Sequence, residues 1–379
     1  MVRNSYAVSP KGLDRKCAKI IPRTFSDYFD MNLAFLTFQL RLLLCLTVLG
    51  QVLFSHTGYA CTAFAWSQGT DEWVGKSFDF DLGHGALMVN KRNVRKHGLR
   101  TQLKGIPVRW VAKYGSVTFN QLGRKFPFGG MNEKGLVVET LWLSETKYET
   151  NTKKPTINES EYVQYILDKA VTIEDVKLLT RSIQIASIMA PVHFFSCERS
   201  GRCLIVEFLD GKASFSETSY DDPTRPRFVS NSPYATKANL KESLDLFDHL
   251  QSTQATVIDK DLIFSALDAV KEKNWTRWQI AYNQTALKVY FRSTSAEAVK
   301  FLDLKSLNYS CLGPTETIEI SESEPGDISS RLRPGSYAQD RKNILIFARE
   351  FSLPNILVVH ANLHSATSLI CEDRKAKGL

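Results

Sequence analysis

The sequence has no basic run interleaved with aromatic residues, so nothing in it resembles a strand-binding groove and nucleic acid is not an expected partner. The net charge is +8, half of it carried by residues 1–60, which is too mild to imply a polyanionic partner. No second cysteine or histidine pair stands at ligand spacing, which leaves a zinc site weakly supported, and no metal or other cofactor is expected. There is no internal repeat and no low-complexity linker, and one folded domain is expected after residue 60. The apolar run Leu42–Phe54 has 13 residues, short of the roughly 20 that span a bilayer.

That run, "LLLCLTVLGQVLF", follows Arg41 and has the length of a signal-peptide core. Gly58 and Ala60 put small side chains three residues and one residue before Cys61, which the shallow pockets of a signal peptidase require. A buried helix or a membrane anchor is the competing reading, and the length weighs against it. Met31 opens a shorter signal, and the chain is expected to start there. The expectation is therefore a leader over 1–60, export to the periplasm or the medium, and membrane contact only through the signal peptide.

Seven cysteines occur, and Cys61, Cys197, Cys203, Cys311 and Cys371 follow the leader. An odd number in an exported chain leaves a free thiol. Cys197 and Cys203, in "CERSGRC", can close a hairpin disulfide.

Past Cys61 the pattern alternates. "CTAFAWSQGTDEWVGKSFDFD" reads as a hairpin around Gly69-Thr70-Asp71. A tight turn is expected at Gly129-Gly130, and a hairpin connection at Asn132-Glu133-Lys134-Gly135 before a strand from Leu136 to Leu143. Two helices are expected over 159–184, one capped by Ser160 and one by Thr172. Strands resume with an Asp210-Gly211 turn, residues 237–273 read as helical, and "RWQIAYNQTALKVYFRST" reads as a hairpin. This order of elements implies α+β layers with antiparallel sheets.

A cysteine freed at a chain terminus carries its own base, the α-amine, whose ordinary pKa is roughly 7.7–8.0. The amine takes the thiol proton and the thiolate attacks. Such a site needs a group that holds the amine and donors for an oxyanion. Asp79 is the candidate for the first task and Asn231 for the second.

The pieces Cys61-Thr62, Gly75-Lys76-Ser77-Phe78-Asp79, Gly130-Met131-Asn132-Glu133-Lys134-Gly135-Leu136, Ser230-Asn231-Ser232-Pro233 and Thr276-Arg277-Trp278 follow one another in the order seen in the choloylglycine hydrolase family. The chain resembles that family, which holds penicillin V acylases and bile salt hydrolases among the N-terminal-nucleophile hydrolases. The resemblance implies a four-layer αββα sandwich over 61–352, leaving 353–379 as an unassigned tail. It implies that Cys61 attacks the linear amide of a small N-acyl substrate, that Asp79 orients the amine, and that Asn231 and the backbone N–H of Trp142 bind the oxyanion. It also implies a homotetramer. Penicillin V, bile acid conjugates, acyl homoserine lactones and fatty-acid amides are all open as substrates.

Two departures stand out. Lys76 occupies the place of the family's usual arginine, keeping the charge without the bidentate fork. No arginine occurs from Tyr234 to Trp275, where the resemblance leads one to expect a second catalytic arginine. An exported binding protein that keeps the fold without catalysis is therefore one rival. A papain-type thiol protease, using His193 or His360, is another. Trp66, Phe80 and Trp142 are candidates for an apolar acyl pocket, with ordinary core packing as the alternative.

Overall fold

The computed structural model describes residues 61–99, 105–150, 153–219, 227–236, 244–246, 248–249, 252, 257–366 and 369–373. The expected signal run and the small residues before Cys61 lie outside these residues, as does much of the helical stretch expected from 237.

Strands β1 (Thr62–Gln68) and β2 (Asp71–Asp79) form the expected hairpin, with Gln68 paired to Asp71 across the turn. The chain then crosses to a second sheet through β3 (Ala86–Asn90), β4 (Ser116–Asn120), β5 (Pro127–Asn132) and β6 (Val137–Trp142). Helices α1 (Glu159–Lys169) and α2 (Ile173–Arg181) follow. β7 (Val192–Cys197), β8 (Cys203–Leu209) and β9 (Lys212–Thr218) extend the second sheet. β10 (Phe228–Val229), helix α3 (Lys260–Ala269), β11 (Thr276–Asn283), β12 (Lys288–Ser293) and β13 (Ala296–Asp303) return to the first. β14 (Glu316–Glu319) rejoins the second sheet, helices α4 (Tyr337–Glu350) and α5 (Asn355–Ala366) follow, and Ile370–Cys371 pairs with Val94–His97 in a small separate sheet.

The first sheet has the order β10-β1-β2-β11-β12-β13, with Gly326–Asp327 as a parallel edge. The second has the order β9-β8-β7-β6-β5-β4-β3-β14, with Arg333–Pro334 at its edge. Alternation along the strands sorts the side chains of the two sheets into cores between and outside them. Ala63, Val74, Phe78, Ile280 and Phe291 of one sheet meet Val117, Phe119, Met131, Leu141 and Phe195 of the other. The outer face of the second sheet buries Val138, Phe194, Leu204 and Val206 against Tyr162, Ile166 and Val176 of α1 and α2. The outer face of the first buries Phe64, Trp73 and Ala281 against Ile263, Phe264 and Leu267 of α3. Each such large apolar side chain contributes about 1.5–3 kcal/mol on burial. The result is the αββα sandwich with antiparallel sheets.

Local chemistry explains most of the turns. Asp210 (φ 52°) and Gly211 (φ 75°) both take the left-handed region that a two-residue hairpin turn demands. Thr172 caps α2 through a reciprocal capping box with Asp175. At α1 the cap is Asn158, not Ser160, because the Asn158 side chain accepts the Glu161 N–H at 2.8 Å while Ser160 Oγ donates to the Pro127 carbonyl. Gly129 and Gly130 lie inside β5 and form no turn. Their missing side chains serve close approach, since a Cβ on Gly130 would strike the Val117 carbonyl and one on Gly129 the Glu139 carboxylate.

Cys197–Cys203 is the disulfide expected across the β7–β8 connection, and Cys311–Cys371 is a second one. The segment to which the sequence assigns no role carries α5. That helix packs on α4, which lies on Phe80: Phe347 and Phe351 are 6.0 and 5.2 Å from the Phe80 ring centre. Arg124–Asp340 at 2.8 Å and His364–Glu161 at 2.9 Å tie both helices to the sandwich.

Candidate active site

Cys61 stands at the head of β1, which runs between β10 and β2. It shares the inner face with Ala63 and Ala65 and is 6% exposed. It is the free cysteine among the described residues. Its Sγ donates to the Asp79 carbonyl at 3.5 Å. Burial pushes the thiol pKa up, and the Lys76 charge offsets part of that rise. A thiol held protonated by its surroundings needs a base before it can attack.

Asp79 closes β2 beside it. Its Oδ1 accepts from Ser77 Oγ at 2.8 Å and from Thr276 Oγ1 of β11. Its Oδ2 is buried and has no hydrogen-bond partner. Burial raises the carboxyl pKa to about 6, opposed by Thr276, Ser77 and Lys76. One oxygen is thus anchored while the other is left to accept.

Lys76 points from β2 into the space between the sheets, paired with Ala63 on one side and Ile280 on the other. It is 1% exposed. Its Nζ stands near enough to Cys61 and Asp79 to draw both pKa values down, yet it makes no hydrogen bond of ordinary geometry.

Asn231 reaches the same place through register. β10 pairs Val229 with Ala63 and Phe228 with Phe64, so the antiparallel count brings Asn231 level with Cys61. Both polar atoms of its amide are buried and unpartnered. The turn that carries it is pinned by Glu207, which accepts the Tyr234 N–H at 2.8 Å and meets His193 Nδ1 at 3.3 Å. His193 is thereby committed to Glu207, and no hydrogen bond joins it to Cys61 among the described residues.

The aromatic candidates divide. Phe80 packs with Phe78 and Phe128 beside Asp79. Trp142 ends β6 opposite Val192, 37% exposed, its Nε1 donating to Ser144 Oγ at 3.0 Å. Trp66 belongs to the α3 core, because five residues from Cys61 on one strand is the opposite face. Arg277 lies just past the stretch from Tyr234 to Trp275 that has no arginine. Its Nε and an Nη donate to the Phe80 and Asp81 carbonyls at 2.7 and 2.8 Å, clamping the chain just after Asp79. The motif Thr276-Arg277-Trp278 held that signal.

Leaving a buried polar group unpaired costs about 1–3 kcal/mol. Here Lys76 Nζ, Asp79 Oδ2 and the Asn231 amide are all left so around one free thiol. A two-sheet sandwich with a thiol heading one strand, and an acid and an amide beside it, holds the groups that nucleophilic cleavage of an amide requires. Residues 61–261 match the linear amide C-N hydrolases, choloylglycine hydrolase family, and the chain belongs to that family. It is 24% identical over 264 residues to the penicillin V acylase of Pectobacterium atrosepticum, covering 54% of this chain and 70% of that protein. The solved penicillin V acylase of Agrobacterium tumefaciens superposes with a TM-score of 0.62 at 21% identity, over 73% of this chain and 98% of that one. A variant of the conjugated bile acid hydrolase of Clostridium perfringens superposes with a TM-score of 0.51 at 14% identity, over 70% and 95%.

Proposed function

We propose that the protein is an exported N-terminal-nucleophile hydrolase that cleaves a small N-acyl amide with Cys61 after removal of residues 1–60. The observation that carries this is the set of unpartnered buried groups around Cys61. Freed, the Cys61 nitrogen becomes an amine, and Asp79 Oδ2, buried and without a donor, is the acceptor assigned to it. The amine takes the thiol proton, and the thiolate adds to the amide carbonyl. The oxyanion is held by the Asn231 amide and the Trp142 N–H. The amine then passes the proton to the leaving nitrogen, the C–N bond breaks, and a thioester remains. Water, deprotonated by the same amine, releases the acid and restores the thiol.

The two disulfides support export, because such bonds persist in oxidising compartments. Phe78, Phe80 and Phe128, clustered beside Asp79, favour an aromatic or aliphatic acyl group. A phenoxyacetyl amide such as penicillin V, or a bile acid or fatty acyl conjugate, has that character. The homotetramer implied by the resemblance is checked by light scattering on the purified chain.

The test is the chain beginning at Cys61, mixed with a panel of N-acyl amides. One equivalent of amine released in a burst, with the acyl mass on Cys61, is the expected result. Ligand binding without acylation of Cys61 overturns the proposal.

The pH profile should show the Asp79 carboxylate. Its pKa in the folded chain is raised to about 6, so the charged form is lost as pH falls through that value. A neighbouring ammonium can only pull the value down. The acid limb of kcat/KM is therefore expected at or below about pH 6, falling about tenfold per unit beneath it. An Asp79→Asn variant should lose that limb along with most of the activity.

A further inference from the structure

Glu139 is a buried acid that the mechanism above does not use. Strand parity places it on the inner face of β6 with Val137 and Leu141, paired to Gly129 of β5 and Phe195 of β7. It is 2% exposed. Its Oε1 accepts from the Tyr282 hydroxyl of β11 at 2.5 Å. Its carboxylate fills the space that a side chain on Gly129 would take. Across the sheet interface, Lys76 enters the same layer from β2, flanked by Ala63 and Ile280. The titratable groups facing Glu139 are Lys76 and Tyr282, while β5 and β7 offer it glycine and phenylalanine.

We propose that Glu139 is a positioning residue, the opposing carboxylate that holds the Lys76 ammonium over Cys61 and off the free Oδ2 of Asp79. The inference rests on Cys61 being the nucleophile. Lys76 has acids on two sides. Asp79 lies on its own strand with one oxygen unpartnered, and Glu139 lies on the facing sheet. With no opposing charge, the ammonium would close on Asp79 and occupy the place the α-amine needs. Burial raises the Glu139 pKa to about 7, while Lys76 and the Tyr282 hydroxyl act to keep it charged. A lysine lacks a planar fork to fix its own direction. A second acid supplies that direction from the opposite sheet.

The experiment follows Cys61 directly. The chain beginning at Cys61 is alkylated with iodoacetamide from pH 5 to 9, and modified Cys61 is counted by mass spectrometry. Glu139→Gln keeps the shape and an acceptor for Tyr282. It should slow alkylation at pH 7 about tenfold and move the midpoint up by about one unit. On an amide that the wild type turns over, kcat should fall about 10–100-fold with KM little changed. Glu139→Asp should restore part of both losses. In a Lys76→Met background, Glu139→Gln should have no further effect on either readout. An unmoved midpoint in Glu139→Gln, or an equal loss in the Lys76→Met background, overturns the proposal. If Glu139→Gln fails to fold, Tyr282→Phe removes only the phenol donor. It should move the midpoint the same way, and an unmoved midpoint there also overturns the proposal. Should no amide be cleaved by the wild type, the functional reading fails, while the alkylation profile still decides the role of Glu139.

Discussion

Cys61→Ala is expected to abolish amide hydrolysis and to leave the melting temperature close to that of the parent. The side chain is small and buried, and its hydrogen bond to the Asp79 carbonyl is a weak sulfur contact. Alanine retains the β1 ladder and the packing against Ala63. It removes the atom that forms the thioester in the proposed reaction, and no other free cysteine stands among the described residues. The companion result concerns the residue before it. With any residue attached, the Cys61 nitrogen is an amide without useful basicity. The thiol, its pKa raised by burial, then has no base. A chain that keeps Tyr59-Ala60 should therefore be nearly inactive, and Edman sequencing of the active protein should read Cys-Thr-Ala-Phe. Hydrolysis at the mature rate by the extended chain would exclude the terminal-amine mechanism. Activity surviving in Cys61→Ala would exclude Cys61 itself.

Asn231→Ala should lower kcat by about 10²–10³ with a much smaller change in KM. The reasoning starts from its present state. The amide is buried, level with Cys61, and bonded to nothing. A donor kept unpaired in the resting protein gains its partner only when negative charge forms on the substrate oxygen. Its loss is thus felt in the transition state. Removing an unsatisfied polar group also relieves a cost, so Asn231→Ala is expected to be as stable as the parent or slightly more so. Steady-state kinetics and a thermal melt together check both halves. A KM rise at constant kcat would place Asn231 in ground-state binding.

Much of this was legible in the sequence where local chemistry decides. Asp210-Gly211 needs a left-handed turn, Thr172 and Asp175 build a capping box, and strand alternation marks the hairpins. The ordered motif pieces gave Cys61, Asp79, Lys76 and Asn231, and the structure brings Lys76 and Asp79 to Cys61, with Asn231 level with it by register. What escaped depends on the third dimension. Gly129-Gly130 looks like a turn until Glu139 and Val117 are seen above it. Ser160 and Asn158 are equally good caps by type, and only the geometry of the Pro127 carbonyl separates them. Trp66 seemed close to the nucleophile because it is close in number, yet parity turns it away. Cys311 and Cys371 are 60 residues apart with nothing between to announce a pairing. Glu139 sits in an ordinary strand, and its meaning comes wholly from the facing sheet.

The hydrogen bond from Thr276 to Asp79 joins residues 197 apart in the chain, across the β2–β11 pairing. Contacts of that sequence separation make folding slow and form late, because a long loop must close before they repay its entropy. A nascent chain therefore displays Cys61 long before it holds Asp79 in place. Catalytic competence is in this sense a property of the finished topology. Any fragment that ends before β11 carries Cys61 without the Thr276 hydroxyl that anchors Asp79.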